Sequence, residues 1–259
     1  MPRLFGHLLR YLFGVFSCAY LFTLGLLKAR NREMIVAITR HFGYGVVKPK
    51  LPLVPLNALA GDEADIEVHE ASGGDGSISA LELIAVIKLI KTHNPRRLFE
   101  LGTFDGRTTL NMAANSAPEA EVFTLDLPKI QSKPAQLRLE VSDRKYIDKD
   151  LSGAKYRGTN FESKIRQVFG DSAAYDFAPF FGTVDLVFVD AAHSYEYVLN
   201  DSKIALKLLR KTGGVILWHD YGNWDGVTKA VNELFVASPE FAELKQIVGT
   251  TLACLIVRH

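Results

Sequence analysis

Residues Arg97–Gly106 read RLFELGTFDG. Leu98, Phe99 and Leu101 make a short apolar run, the pattern of a strand buried in a parallel sheet. Gly102 and Gly106 bracket a tight turn, and Arg107–Ala114 reads as the helix that follows. In open α/β sheets such a strand-to-helix turn is where nucleotides bind. Glu100 and Asp105 flank this turn with negative charge, which repels a pyrophosphate and welcomes a cofactor with a positive centre. Phe104 stands where a dinucleotide fold needs its second close-approach glycine, so the G-x-G-x-x-G pattern fails. No G-x-x-x-x-G-K-[ST] loop occurs either.

Outward from this turn, strands and helices alternate. Ser77-Ile-Ser79 offers a cap to a helix over Ala80–Thr92, where Leu81, Leu83, Ile84, Ile87 and Ile90 recur at helical spacing until Pro95 stops it. Strands are predicted at Arg97–Leu101, Glu121–Leu125, Ile165–Phe169, Val184–Val189 and Gly214–Trp218. Helices are predicted at Tyr195–Leu209 and Gly226–Val236, and a final strand pair near Leu244–Val248 and Leu252–Val257. The pattern implies an α/β fold, doubly wound, with helices on both faces of a mostly parallel sheet. Residues 128–163 are a charged insertion too long for an ordinary connection, read equally as a wall of the ligand site or as a solvated excursion. The expected organisation is a hydrophobic helix over 1–33, a linker or cover over 34–76, and the main domain over 77–259.

The chain has 259 residues, 48% of them apolar, enough for one large core. Its net charge of +1 gives no field for nucleic acid. Cys18 and Cys254 match no metal or redox spacing, which fits a reducing, cytoplasmic setting. Tyr11–Leu27 is uncharged, with Arg3, His7 and Arg10 before it and Lys28, Arg30 and Arg32 after it. Three readings stand for this segment: a helix packed on the domain or on a second copy in a homodimer, a helix associated with a membrane surface through residues 4–27, and a cleaved signal.

Five predicted strands end in an acid: Glu100, Asp126, Asp171, Asp190 and Asp220. Parallel strands bring their carboxyl ends to one edge, so these groups are expected around one crevice. Taken singly, each is an ordinary helix cap. Together they repel one another unless a cation, hydroxyl groups or a metal compensates. Asp126 lies about 20 residues past the glycine turn, the place of an acid that grips ribose hydroxyls.

The E-x-G-x-x-x-G turn Glu100–Gly106, Asp126, the Gly170-Asp171-Ser172 loop and the run Val184–Tyr221 resemble the class I S-adenosylmethionine-dependent methyltransferases. The run is similar to the metal-dependent branch that includes catechol and macrolide-sugar O-methyltransferases. The likeness covers Ile78 to His259. It implies a Rossmann-like seven-stranded sheet whose last strand is antiparallel. It also implies methyl transfer to a small molecule, with a hydroxyl oxygen as acceptor and metal assistance. Glu100, Gly102, Thr103, Phe104, Gly106, Asp126, Leu127, Asp171, Ser172 and Asp190 are then expected at the cofactor. The branch pattern implies Asp190 and His193 as catalytic, and Asp190, His219 and Asp220 as ligands of Mg²⁺ or Mn²⁺. His219 departs from that pattern, where an oxygen ligand is usual; Mg²⁺ prefers oxygen, and Asn223 offers an alternative. Against this reading stand a metal-independent N- or C-methyltransferase, an NAD-dependent oxidoreductase and a non-catalytic S-adenosylmethionine-binding protein.

Overall fold

The computed structural model describes residues 2–28, 31, 32, 34, 35, 38, 39, 43, 46–61, 65–128, 135–140 and 143–258. Arg30 and the head of the insertion, residues 129–134, lie outside them. The chain divides into two compact units, Met1–Val47 and Lys48–His259.

The first unit holds helix α1 (Pro2–Leu21), followed by a short 3-10 turn at Leu24–Leu27. Membrane association through this segment is overturned: among the described residues no helix is long and apolar enough to cross a membrane. The uncharged run does not stay on one helix. Only Tyr11–Leu21 of it is α-helical, about 16 Å at 1.5 Å per residue, against a hydrocarbon core of about 30 Å.

The second unit is an eight-stranded sheet. Its strands are β1 (Leu53–Val54), β2 (Arg97–Leu101), β3 (Glu121–Asp126), β4 (Ile165–Phe169), β5 (Leu186–Val189), β6 (Gly213–Trp218), β7 (Lys245–Ile247) and β8 (Ala253–Arg258). They lie in the order β1-β7-β8-β6-β5-β2-β3-β4. All neighbours pair parallel except β8, which runs antiparallel to both β6 and β7. The expected fold is present with one strand more than the seven expected. The extra strand is two residues long, set between Pro52 and Pro55 in the stretch read as cover, and too short to show an alternation of its own.

The other helices are α2 (Ala80–His93), α3 (Arg107–Asn115), α4 (Arg144–Ile147), α5 (Tyr195–Leu208) and α6 (Asp225–Ala237). Period-two alternation splits the core into two layers. Phe99, Leu101, Phe123, Leu125, Val187, Val189, Ile216 and Trp218 face α5 and α6. Leu98, Val122, Leu186, Phe188, Val215 and Leu217 face α2 and α3. A reciprocal capping box starts α2: Ser79 Oγ accepts from the Glu82 amide at 3.2 Å, and Glu82 Oε2 accepts from the Ser79 amide at 2.7 Å. Asn94 ends it in the left-handed region at φ 43°, just before Pro95.

One face of α3 holds the segment preceding α2. Asn115 and Asn111 each pair with both backbone groups of one residue, Glu67 and His69 respectively, at 2.7–3.0 Å. Arg107, one turn earlier, donates to the carbonyls of Glu70, Ala71 and Ile78 at 2.6–3.1 Å. Three side chains at i, i+4 spacing thus satisfy a strap that has no strand partner. Arg107→Ala would leave the buried Ile78 carbonyl and the part-buried Glu70 and Ala71 carbonyls without this partner. The expected loss is about 3 kcal/mol in urea unfolding, with Arg107→Lys recovering little because one ammonium cannot reproduce the fork.

Candidate active site

The turn after β2 is shaped by a close approach. Gly102 sits at φ +99°, and a Cβ there would lie 2.0 Å from the Asp190 carbonyl oxygen. The Asp190 amide donates to the Leu101 carbonyl at 2.8 Å, so the ends of β2 and β5 are locked together. Phe104 is also left-handed at φ 48°, a costly conformation for a residue with a side chain. A first cleft opens over this turn. Of the residues expected at a cofactor, it is lined by Gly102, Phe104, Asp126, Leu127, Asp171, Ser172 and Asp190. The insertion adds Leu139, Tyr146 and Lys149 to its wall.

Glu100, Thr103 and Gly106 are not among the lining residues. Glu100 is fully buried under the turn, where its Oε2 accepts from Thr109 Oγ1 at 2.5 Å and from Thr124 Oγ1 at 2.6 Å. Burial pushes its carboxyl up to about 8, against the pull of those two hydroxyls. It is therefore neutral at pH 7 and adds no charge to the rim. Thr103 Oγ1 lies 2.6 Å from Thr124 Oγ1 in the same buried cluster. Gly106 caps α3, and a Cβ there would meet the Tyr156 ring at 2.7 Å.

The remaining acids have partners. Asp126 Oδ2 lies 2.8 Å from Lys149 Nζ and accepts from Ser152 Oγ. Asp171 Oδ2 accepts from the Tyr197 hydroxyl and the Gln136 amide, both at 2.8 Å. Burial, reinforced by Asp171, raises the Tyr197 phenol and keeps its proton in place.

A second, larger cleft of about 1610 Å³ shares Phe104, Tyr146, Asp190 and Ala191 with the first. His193 and His219 line it amid four carboxylates. His219 Nδ1 lies 3.1 Å from Asp190 Oδ1 and 3.2 Å from Asp220 Oδ2, and its Nε2 lies 3.4 Å from Glu82 Oε2. His193 Nε2 lies 2.9 Å from Asp220 Oδ2, and its Nδ1 lies 2.6 Å from Asp143 Oδ1. Carboxylate and imidazole alternate without a break from Glu82 to Asp143. Burial works against a charged His193, but Asp143 and Asp220 outweigh it and raise the ring to about 9. His219 is raised further still, against the same burial, by Asp190, Asp220 and Glu82. Asp220 is held at φ +64°, strained for a non-glycine, with its amide donating to Thr251 Oγ1 at 3.2 Å.

The metal set expected from the sequence regroups here. Asp190, His193 and Asp220 instead offer ligand atoms within 4.8 Å of one another.

Residues 99–221 match a family model described as a methyltransferase domain. The fold is shared with solved methyltransferases. The O-methyltransferase TomG from Streptomyces achromogenes, solved with S-adenosylmethionine, is 21% identical over 71% of this chain and 83% of its own, with a TM-score of 0.50. The Podospora anserina methyltransferase PaMTH1, solved with S-adenosylhomocysteine, is 17% identical over 71% and 81%, with a TM-score of 0.53. An O-methyltransferase from Bacillus cereus, also solved with S-adenosylhomocysteine, is 18% identical over 71% and 84%, with a TM-score of 0.51. Comparison with curated proteins finds no match. Over residues 99–221 the chain carries a methyltransferase domain.

Several residues of this methyltransferase site escape sequence reasoning. Asp143, Tyr146 and Lys149 sit in the insertion, where no periodicity points inward. Glu82, part of the capping box of α2, also accepts through its Oε1 from Thr251 N at 2.8 Å and Thr251 Oγ1 at 2.7 Å. Trp224 stacks on His193 at 4.3 Å between centroids, 21° from parallel. A Trp four residues after a strand-end Asp carries no signal of that contact.

Glu100→Gln should leave S-adenosylhomocysteine affinity within about threefold by calorimetry, whereas Asp126→Ala should weaken it tenfold or more; equal effects would contradict this placement. The histidines also set a pH dependence. A ring raised from 6.5 to about 9 stabilises the fold fully below pH 6.5, and the gain is lost as pH rises through about 9. Thermal melting of the methyltransferase should fall between pH 7 and 10, with up to about 3 kcal/mol from His193. His193→Gln should flatten that slope.

Proposed function

We propose that this methyltransferase moves the methyl group of S-adenosylmethionine to a hydroxyl oxygen of a small molecule, with cofactor in the first cleft and acceptor in the second. The observation that carries this reading is the junction of the two clefts at Phe104, Tyr146, Asp190 and Ala191, with His193 held between two carboxylates in the acceptor wall. Asp126 would take the ribose hydroxyls once Lys149 and Ser152 give way, and Asp171, Ser172 and Leu127 would flank the adenine. The backbone at Gly102 would lie along the methionyl part, and Glu100, Thr103 and Gly106 would support the turn from behind. The failed dinucleotide glycine pattern, occupied by left-handed Phe104, weighs against an NAD enzyme.

In the reaction the S–CH₃ bond breaks as the O–CH₃ bond forms. The sulfonium would become a neutral thioether, and the acceptor proton would pass to His193 once its Nε2 is released from Asp220. Charge disappears along the reaction path, so alignment and deprotonation supply most of the rate. A ring near 9 accepts that proton only in its neutral fraction, so turnover should climb from pH 7 towards 9.

A metal-assisted variant rests on a separate observation, the grouping of Asp190, His193 and Asp220. These three would hold a divalent cation of the Mn²⁺ or Fe²⁺ kind, given the nitrogen donor. Bound there, a cation lowers the pKa of an acceptor hydroxyl.

Transfer of labelled methyl from S-adenosylmethionine to a panel of catechols, phenols and free sugars tests the reaction. His193→Ala should lose at least 100-fold in turnover with S-adenosylhomocysteine affinity within threefold. Turnover at the wild-type rate in that variant would remove His193 from the mechanism. Activity that survives EDTA would remove the cation.

A further inference from the structure

We infer that Asp143, supplied by the insertion, is the positioning residue of His193 and sets which ring nitrogen faces the acceptor. This inference rests on the role given to His193 above. Asp143 is almost fully buried, with 5% of its side chain exposed. Both of its oxygens are spent on one residue: Oδ1 lies 2.6 Å from His193 Nδ1, and Oδ2 accepts from the His193 backbone amide at 3.2 Å. Among the described residues its side chain makes no other hydrogen bond. Two bonds to the backbone and ring of the same residue fix the torsions of that side chain, and Trp224 stacked on the ring removes the freedom that remains.

A carboxylate at Nδ1 makes that nitrogen the inner one, so Nε2 is the ring atom turned towards Asp220 Oδ2, 2.9 Å away, in the wall of the second cleft. Burial of a carboxylate is expensive, and an apolar side chain would fill the same space at less cost. The bidentate clamp on a single histidine therefore points to orientation of that ring rather than to packing.

The stretch that carries Asp143 also touches the other half of the site. Lys149, six residues on, lies 2.8 Å from Asp126 in the first cleft. Between them Tyr146 lines both clefts, and its hydroxyl donates to Asp75 at 3.3 Å while Lys145 Nζ lies 2.6 Å from that same carboxylate. One short segment thus reaches the proton acceptor and the acid expected to hold the ribose.

The test uses the full chain, with turnover on an acceptor from the methyl-transfer panel, S-adenosylhomocysteine calorimetry, and ¹⁵N spectra of labelled histidine. Asp143→Asn keeps the volume but presents an amide donor to Nδ1. It should cut turnover at least 100-fold, leave acceptor KM and S-adenosylhomocysteine affinity within about threefold, and move the ring ¹⁵N signals of His193. Asp143→Ser, which removes the carboxylate without added bulk, should match it in turnover. Wild-type turnover in both variants, or unmoved His193 ring signals, would overturn the assignment. Should His193→Ala itself turn over normally, the base role falls, while the ring signals still decide whether Asp143 holds the imidazole.

Discussion

The approach of Gly102 to the backbone of Asp190 is the constraint on which the site depends. No side chain fits there, since a Cβ would lie 2.0 Å from a carbonyl oxygen. That contact brings the carboxyl ends of β2 and β5 together, and these two strands flank the point where the chain order of the sheet reverses. Each group that faces a cleft is placed relative to this seam. Asp126 follows the strand on one side, Asp220 the strand on the other, and Phe104 and Tyr146 cover the space between. A larger residue at 102 would separate the strands and open both clefts at once.

Charge is the second organising fact. The rim is acidic in sequence, yet it is largely compensated within the protein. Burial raises the Glu100 carboxyl, Lys149 pairs with Asp126, Tyr197 donates to Asp171, His219 lies between Asp190 and Asp220 at the ends of β5 and β6, and His193 lies between Asp220 and Asp143. Such a rim is pre-organised by hydrogen bonds rather than held apart by repulsion. His219 is the clearest case. Residue type alone suggests a ligand for a cation, whereas in the fold its ring nitrogens lie on three carboxylates, Asp190, Asp220 and Glu82.

The insertion changes meaning once folded. In sequence it is a charged excursion with two tyrosines and many lysines. In the fold its middle section is a wall shared by both clefts, tied to the strap over α3 through Asp75 and Glu70. The strap in turn is tied to α3 by Arg107, Asn111 and Asn115. Site geometry therefore depends on polar contacts between irregular segments as well as on the sheet.

Much of the architecture was legible beforehand, because local patterns dictate it. Apolar runs of five or six residues, separated by helical spacing, define parallel strands buried on both faces, and the cap offered by Ser77-Ile-Ser79 marks a helix start within a residue. The glycine turn and the acids at the strand ends follow from the same reading, since a parallel sheet delivers all its carboxyl ends to one edge. The eighth strand was not legible, because two residues between prolines carry no period. Nor could the sequence say that Glu100 turns away from the cleft, that His193 lies with Asp190 and Asp220 in one group, or that Asp143 meets His193 across 50 positions. Those outcomes depend on burial and on contacts between distant segments, and only the packed chain decides which of several identical side-chain types lies within 3 Å of another.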